Sequence, residues 1–122
     1  MQKEGGKVVK IAVYGTLKKG FYNHKRFRLD EYGTFLGFDT IFGYDMYDLG
    51  MYPIVVKSVS GEIKVEVYDV STDMVATLDR MERGAGYYPT YVSTKFGHAI
   101  IWKCDEISGT KIEGGDYGKK GK

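Results

Sequence analysis

The sequence predicts an α+β domain whose sheet curls towards a barrel. Three observations carry this. Runs of β-branched and aromatic residues recur along the chain, seventeen glycines interrupt them, and one segment keeps helical spacing. Only two prolines accompany eleven tyrosines, which also suits tight turns between strands. At 122 residues the chain can bury one core without disulfide or metal. Residues 1–122 are therefore expected to form a single domain, with a core over 8–117 and flexible tails.

Taken in order, "VVKIAVY" (8–14) is rich in β-formers and reads as the first strand. Residues 22–32 fit a short helix or an irregular connection. "GTFLGFDTIFGYDMYDL" (33–49) reads as two strands with a bend or bulge near Gly37 or Gly43. "YPIVVKS" and "EIKVEVYDV" read as a further hairpin turning at "SVSGE", with Ile63, Val65 and Val67 alternating as on a half-buried strand. The period then changes. "STDMVATLDRME" (71–82) has Ser71 or Thr72 as N-cap, Asp73 in the first turn, and Gly84 as the expected C-terminal cap. Strands follow at "TYVSTKF" and "HAIIWKC", turning at Gly97. The tail after Ser108 is expected to pack only through Ile112 and Tyr117.

Composition removes several function classes. A net charge of +2 with the basic excess near the ends, in "KEGGK" and "YGKKGK", reads as solvated tails. Lys18, Lys19, Lys25, Arg26 and Arg28 form the one internal basic cluster. They are the only candidate for a nucleic-acid interface, which needs a basic face with aromatic interleaving, and read instead as a solvated surface run. Cys104 is the lone cysteine, in an apolar run that suits a buried, inert thiol, and His24 and His98 have no metal-ligand spacing. With no long apolar run and no signal-peptide pattern, a cytoplasmic protein without nucleic-acid or membrane partners is expected.

Two segments break local rules. On the helix, Val75 and Leu78 define the apolar face with Met74 and Met81 beside them. Glu82, seven after Val75 and four after Leu78, falls on the same stripe. Either the last turn frays and Glu82 reaches solvent, or the glutamate sits in a partly apolar cleft. Desolvation there would raise its pKa and make it a competent general base. Asp79, Arg80 and Arg83 fall off this face and read as solvated. The second segment is "YGTLKKG". Gly15 and Gly20 have the spacing of P-loop glycines, but Phe21 and Tyr22 stand where Lys-Ser/Thr would be needed. What remains is a strand end whose backbone N–H groups can cradle one anion with the Thr16 hydroxyl, or an ordinary turn with Gly15 at positive φ.

"VYGTLKKGFYNH", "GYDMYDLGMYPIVV", "VEVYDV", "LDRMERGAGYY" and "GGDY", in that order, resemble the γ-glutamylcyclotransferase-like family, which includes γ-glutamylamine cyclotransferases and AIG2-like proteins. The likeness covers residues 9–117. "YGTL" followed by "NH", and "LD..E" followed by tyrosine, are its specific parts. The resemblance implies a small mixed β-barrel with one or two helices and a cavity at the end of the first strand. It implies that the backbone of Tyr14, Gly15, Thr16 and Leu17 binds the α-carboxylate of a γ-glutamyl substrate. It also implies that Glu82 is the catalytic acid/base, closing the substrate to 5-oxoproline without a cofactor. Pro89 stands near where many relatives have arginine, and Tyr117 where the closing motif often has tryptophan. These departures bear on substrate choice more than on the fold. Tyr52, Tyr87 and Tyr88 either line the cavity or pack in the core. The alternative function is a non-catalytic small-ligand binding module on the same fold.

Overall fold

The computed structural model describes residues 7–118; the terminal basic runs, apart from Lys7, Tyr117 and Gly118, lie outside them. The order is β1 (Val8–Val13), α1 (Tyr22–Arg26), α2 (Leu29–Tyr32), β2 (Thr34–Asp48), β3 (Pro53–Ser71), α3 (Thr72–Gly84), β4 (Tyr88–Thr94), β5 (Gly97–Lys103) and β6 (Thr110–Ile112). Six strands form one mixed sheet in the order β4-β5-β1-β3-β2-β6. The α+β class is as expected.

β1 is central because Ile11, Ala12 and Val13 are buried consecutively, the pattern of a strand covered on both faces. It pairs antiparallel with β3, Val13 opposite Glu66, and parallel with β5, Ile11 opposite Ile100. Leu29 from α2 and Leu78 from α3 are fully buried and join the core. The sheet curls enough for Phe96, at the β4–β5 turn, to meet β2. The Lys95 amide donates to Asp39 Oδ2 at 2.8 Å, and a Cβ on Gly37 would come 2.6 Å from Phe96 Cζ. It does not close. The edges β4 and β6 are not neighbours, so the expected barrel is an open, bent sheet.

Local readings of the strands are corrected in two places. The segment 33–49 holds one strand, β2, rather than two, with irregularities at both Phe35/Gly37 and Phe42/Tyr44. The supposed hairpin at "SVSGE" is one long strand, β3. Its pairing with β2 runs from Glu62 opposite Phe42 to Lys57 opposite Tyr44, so residues 58–61 bulge out against Gly43 alone. Val59 at the bulge is fully exposed. Gly61 is required there for space rather than for a turn, since a Cβ would run into the Tyr44 carbonyl and Asp45.

The tail does more than pack two side chains. β6 pairs with β2, Ile112 opposite Met46, and the Gly115 carbonyl accepts from the Lys64 amide at 2.8 Å. The Tyr117 ring lies 5.3 Å from that of Phe21.

Candidate active site

The last turn of α3 does not fray. Ser71 caps the start by accepting from the Met74 amide at 3.1 Å. At the other end the Tyr87 amide donates to the Glu82 carbonyl at 2.9 Å and the Gly86 amide to the Arg83 carbonyl at 3.0 Å. Gly86 has φ +95, so this is a Schellman motif with Gly86 as its left-handed residue. The cap is thus Gly86, not Gly84, which is the final helical residue. The motif ties Glu82 and Tyr87 together across the helix end.

A second tie comes from the sheet. Trp102, buried on β5, donates from Nε1 to Asp79 Oδ1 at 2.9 Å, while Arg83 Nε reaches Asp79 Oδ2 at 2.8 Å. Asp79 is therefore engaged and not simply solvated, and the indole N–H holds its carboxyl below the usual range. The Trp102 carbonyl accepts from the Tyr14 hydroxyl at 2.8 Å. One residue of β5 so aligns the helix with the end of β1. Burial pushes the Tyr14 phenol well above its ordinary pKa, so it remains a donor.

The end of β1 and the end of α3 meet in a narrow cleft of about 40 Å³. It is lined by Tyr14, Gly15, Thr16 and Leu17 together with Tyr52, Pro53, Glu82 and Tyr87. Gly15 has no positive φ; it is needed because a Cβ would come 2.7 Å from Pro53 Cγ. The positive φ belongs to Gly20, at the turn closed by the Phe21 amide on the Lys18 carbonyl. Among the described residues no group accepts a hydrogen bond from the Gly15, Thr16 or Leu17 amides. Tyr52 and Tyr87 line the cleft, their rings 6.4 Å apart, with the Tyr87 hydroxyl donating to the Pro53 carbonyl at 2.6 Å. Tyr88 does neither thing expected of it; it is exposed on β4.

Glu82 is partly buried, and among the described residues its carboxylate has no hydrogen-bond or ion-pair partner. Burial, reinforced by the negative charge of Asp79, pushes it up to about 7. A roomier depression of about 400 Å³ surrounds Lys18, Asp39, Lys64, Glu66 and Asp116. Its carboxylates are already occupied. Asp116 pairs with Lys18, Glu66 takes the Lys19 amide and the Tyr68 hydroxyl, and Asp39 takes the Thr40 and Lys95 amides. Chemistry thus favours the smaller cleft over the larger one. Cys104 is partly buried, its thiol pushed up by burial and 3.6 Å from the Gly86 carbonyl. Among the described residues no group of three or more His, Cys, Asp or Glu side chains could hold a metal ion, and no helix is long and apolar enough to cross a membrane.

Several supporting residues have no local signal in the sequence. Lys18, read as part of a solvated run, is only 9% exposed, with Nζ 3.1 Å from Asp116 Oδ1 and 2.9 Å from the Tyr117 carbonyl. Its partners lie almost a hundred residues away. Asn23 and His24 buttress the cleft loop. Asn23 Nδ2 donates to Thr16 Oγ1 at 2.8 Å, and His24 Nδ1 lies 2.9 Å from the Leu17 carbonyl, which it must approach as N–H.

Known proteins share this sequence pattern and fold. The family described as Gamma-glutamyl cyclotransferase, AIG2-like matches residues 11–119. Protein PH0828 of Pyrococcus horikoshii is 41% identical over 112 residues, which are 91% of this chain and 92% of the relative. Gamma-glutamylcyclotransferase family protein YtfP of Escherichia coli K12 is 32% identical over 113 residues, covering 89% and 96%. The crystal structure of PH0828 superposes with a TM-score of 0.80, covering 89% of each chain at 42% identity. The solution structure of YtfP gives 0.72, covering 93% of this chain and all of that one, at 29% identity.

Proposed function

The chain belongs to the γ-glutamyl cyclotransferase, AIG2-like family, and from that premise we propose that it is a cofactor-independent enzyme converting a γ-glutamyl amine or amide to 5-oxoproline and a free amine. The observation that carries the reading is Glu82, a partly buried carboxylate that lines the same cleft as Gly15, Thr16 and Leu17, with neither its carboxylate nor their amides paired among the described residues. Unpaired amides at a strand end suit the substrate α-carboxylate. A carboxyl that titrates near neutrality suits proton transfer in both directions.

The steps balance without an added reactant. Glu82 takes a proton from the substrate α-amino group, whose nitrogen attacks the γ-carbonyl carbon and closes a five-membered ring. As the tetrahedral centre collapses, the bond to the leaving nitrogen breaks and Glu82 returns the proton to it. Nucleophile and electrophile belong to one molecule, so holding the substrate folded supplies much of the acceleration. The cleft is narrow, which fits a single amino-acid head group better than a peptide.

The test is 5-oxoproline release across a panel of γ-glutamyl amines and γ-glutamyl dipeptides, with Glu82→Gln beside wild type. Turnover that Glu82→Gln removes, with the fold retained by circular dichroism, is expected. No turnover on any substrate, together with glutamate binding that Glu82→Gln leaves intact, would favour a non-catalytic binding module instead.

A further inference from the structure

Asn23 is 6% exposed and lies in α1 beneath the cleft loop. Its Nδ2 donates to Thr16 Oγ1, while its own Oδ1 is buried with no partner among the described residues. An orphaned buried acceptor costs free energy, so the arrangement calls for a reason. Turning the amide over would bring no relief. It would bury an unpaired N–H group instead, the rarer and worse case, and would consume the Thr16 proton on the Asn23 carbonyl. A hydroxyl has one proton and two lone pairs. With Nδ2 on a lone pair, the Thr16 proton is left to donate elsewhere, and Thr16 lines the same cleft as Glu82.

The main chain is set the same way. The Thr16 carbonyl accepts from the Asn23 amide at 3.1 Å and the His24 amide at 3.2 Å. In a trans peptide the carbonyl and the following N–H point to opposite sides. Holding that carbonyl against α1 therefore turns the Leu17 N–H away from the helix.

We propose that Asn23 is a positioning residue for anion recognition, fixing the Thr16 hydroxyl as a hydrogen-bond donor to a ligand carboxylate. This rests on the reading of the cleft as the site of a γ-glutamyl α-carboxylate. The experiment measures the affinity of the full chain for 5-oxoproline and L-glutamate by calorimetry, alongside KM and kcat for the best γ-glutamyl substrate. Thr16→Val is expected to weaken binding about tenfold, since it removes a donor to a charged group, while Thr16→Ser keeps wild-type affinity. Asn23→Ala is expected to raise KM with little change in kcat. The double variant Thr16→Val/Asn23→Ala is expected to bind no more weakly than Thr16→Val, because both changes remove one and the same donor.

Losses that multiply in the double variant would overturn the proposal, as they would mean Asn23 acts through something other than Thr16. Unchanged affinity in Thr16→Val would overturn it as well, whether or not the Asn23 variants fold. If wild type turns substrate over and either of these results appears, only this proposal falls. If wild type neither binds the probes nor releases 5-oxoproline, the cyclotransferase reading fails and takes this inference with it.

Discussion

Glu82 is a carboxylate held where a carboxylate is costly. Its pKa is raised from 4.5 to about 7, so between those pH values the native state keeps a proton that the unfolded chain has released. Stability contributed by this group therefore falls as pH rises from about 4.5 to about 7 and stays lower above. At roughly 1.4 kcal/mol per pKa unit the full rise is worth about 3.5 kcal/mol, and solvent screening of a partly exposed carboxyl reduces it, so Glu82→Gln should stabilise the protein by about 2 kcal/mol at pH 8. Thermal denaturation should show the gain shrinking towards pH 5. A direct check is carbon-13 NMR of the glutamate side chains, in which one carboxyl, missing from Glu82→Gln, should titrate near 7. This position was legible because helical spacing put an acid on an apolar stripe, a conflict visible in twelve residues. Lys18 was not legible. Its burial depends on Asp116 and the Tyr117 carbonyl, which only the finished fold brings near.

At the scale of elements, α3 carries the chemistry because both its ends are fixed. Ser71→Ala should cost about 1 kcal/mol through the lost N-cap and leave kcat nearly unchanged, since the cap lies three turns from Glu82. Gly86→Ala forces a side chain into the left-handed region and should cost about 1–2 kcal/mol. It should also lower kcat, because the same motif ties Glu82 to Tyr87. Urea titration and steady-state kinetics on the two variants separate these outcomes. Strand existence was readable from β-branched runs, whereas the hairpin at "SVSGE" was misread. Ser-Val-Ser-Gly carries the local chemistry of a turn, but β2 continues past it as one strand, and pairing on both sides of the bulge keeps β3 continuous. No local rule distinguishes the two cases, because the deciding partner lies in another segment.

Across the whole molecule, residues 110–117 are strapped over the loop that begins at the cleft. β6 extends the sheet beside β2, the Gly115 carbonyl takes the Lys64 amide, and Lys18 holds Asp116 and the Tyr117 carbonyl. Lys18→Met should loosen this strap. Hydrogen exchange should quicken at the Lys64 amide and along Thr110–Ile112 while the β1 amides stay protected, and stability should fall by about 1–3 kcal/mol. The α+β class was legible from composition and period. The barrel was not realised because β4 and β6, at opposite edges, never pair. What the fold as a whole achieves is to bring the end of β1 and the end of α3, almost seventy residues apart, to one cleft. The pH dependence of 5-oxoproline release by wild type and Glu82→Gln tests that arrangement most directly. The account predicts that wild-type kcat/KM rises with pH through a midpoint near 7, as Glu82 becomes a base, and that Glu82→Gln has no measurable release at any pH. A wild-type profile flat through neutrality, or a Glu82→Gln variant that keeps its rate, would contradict it.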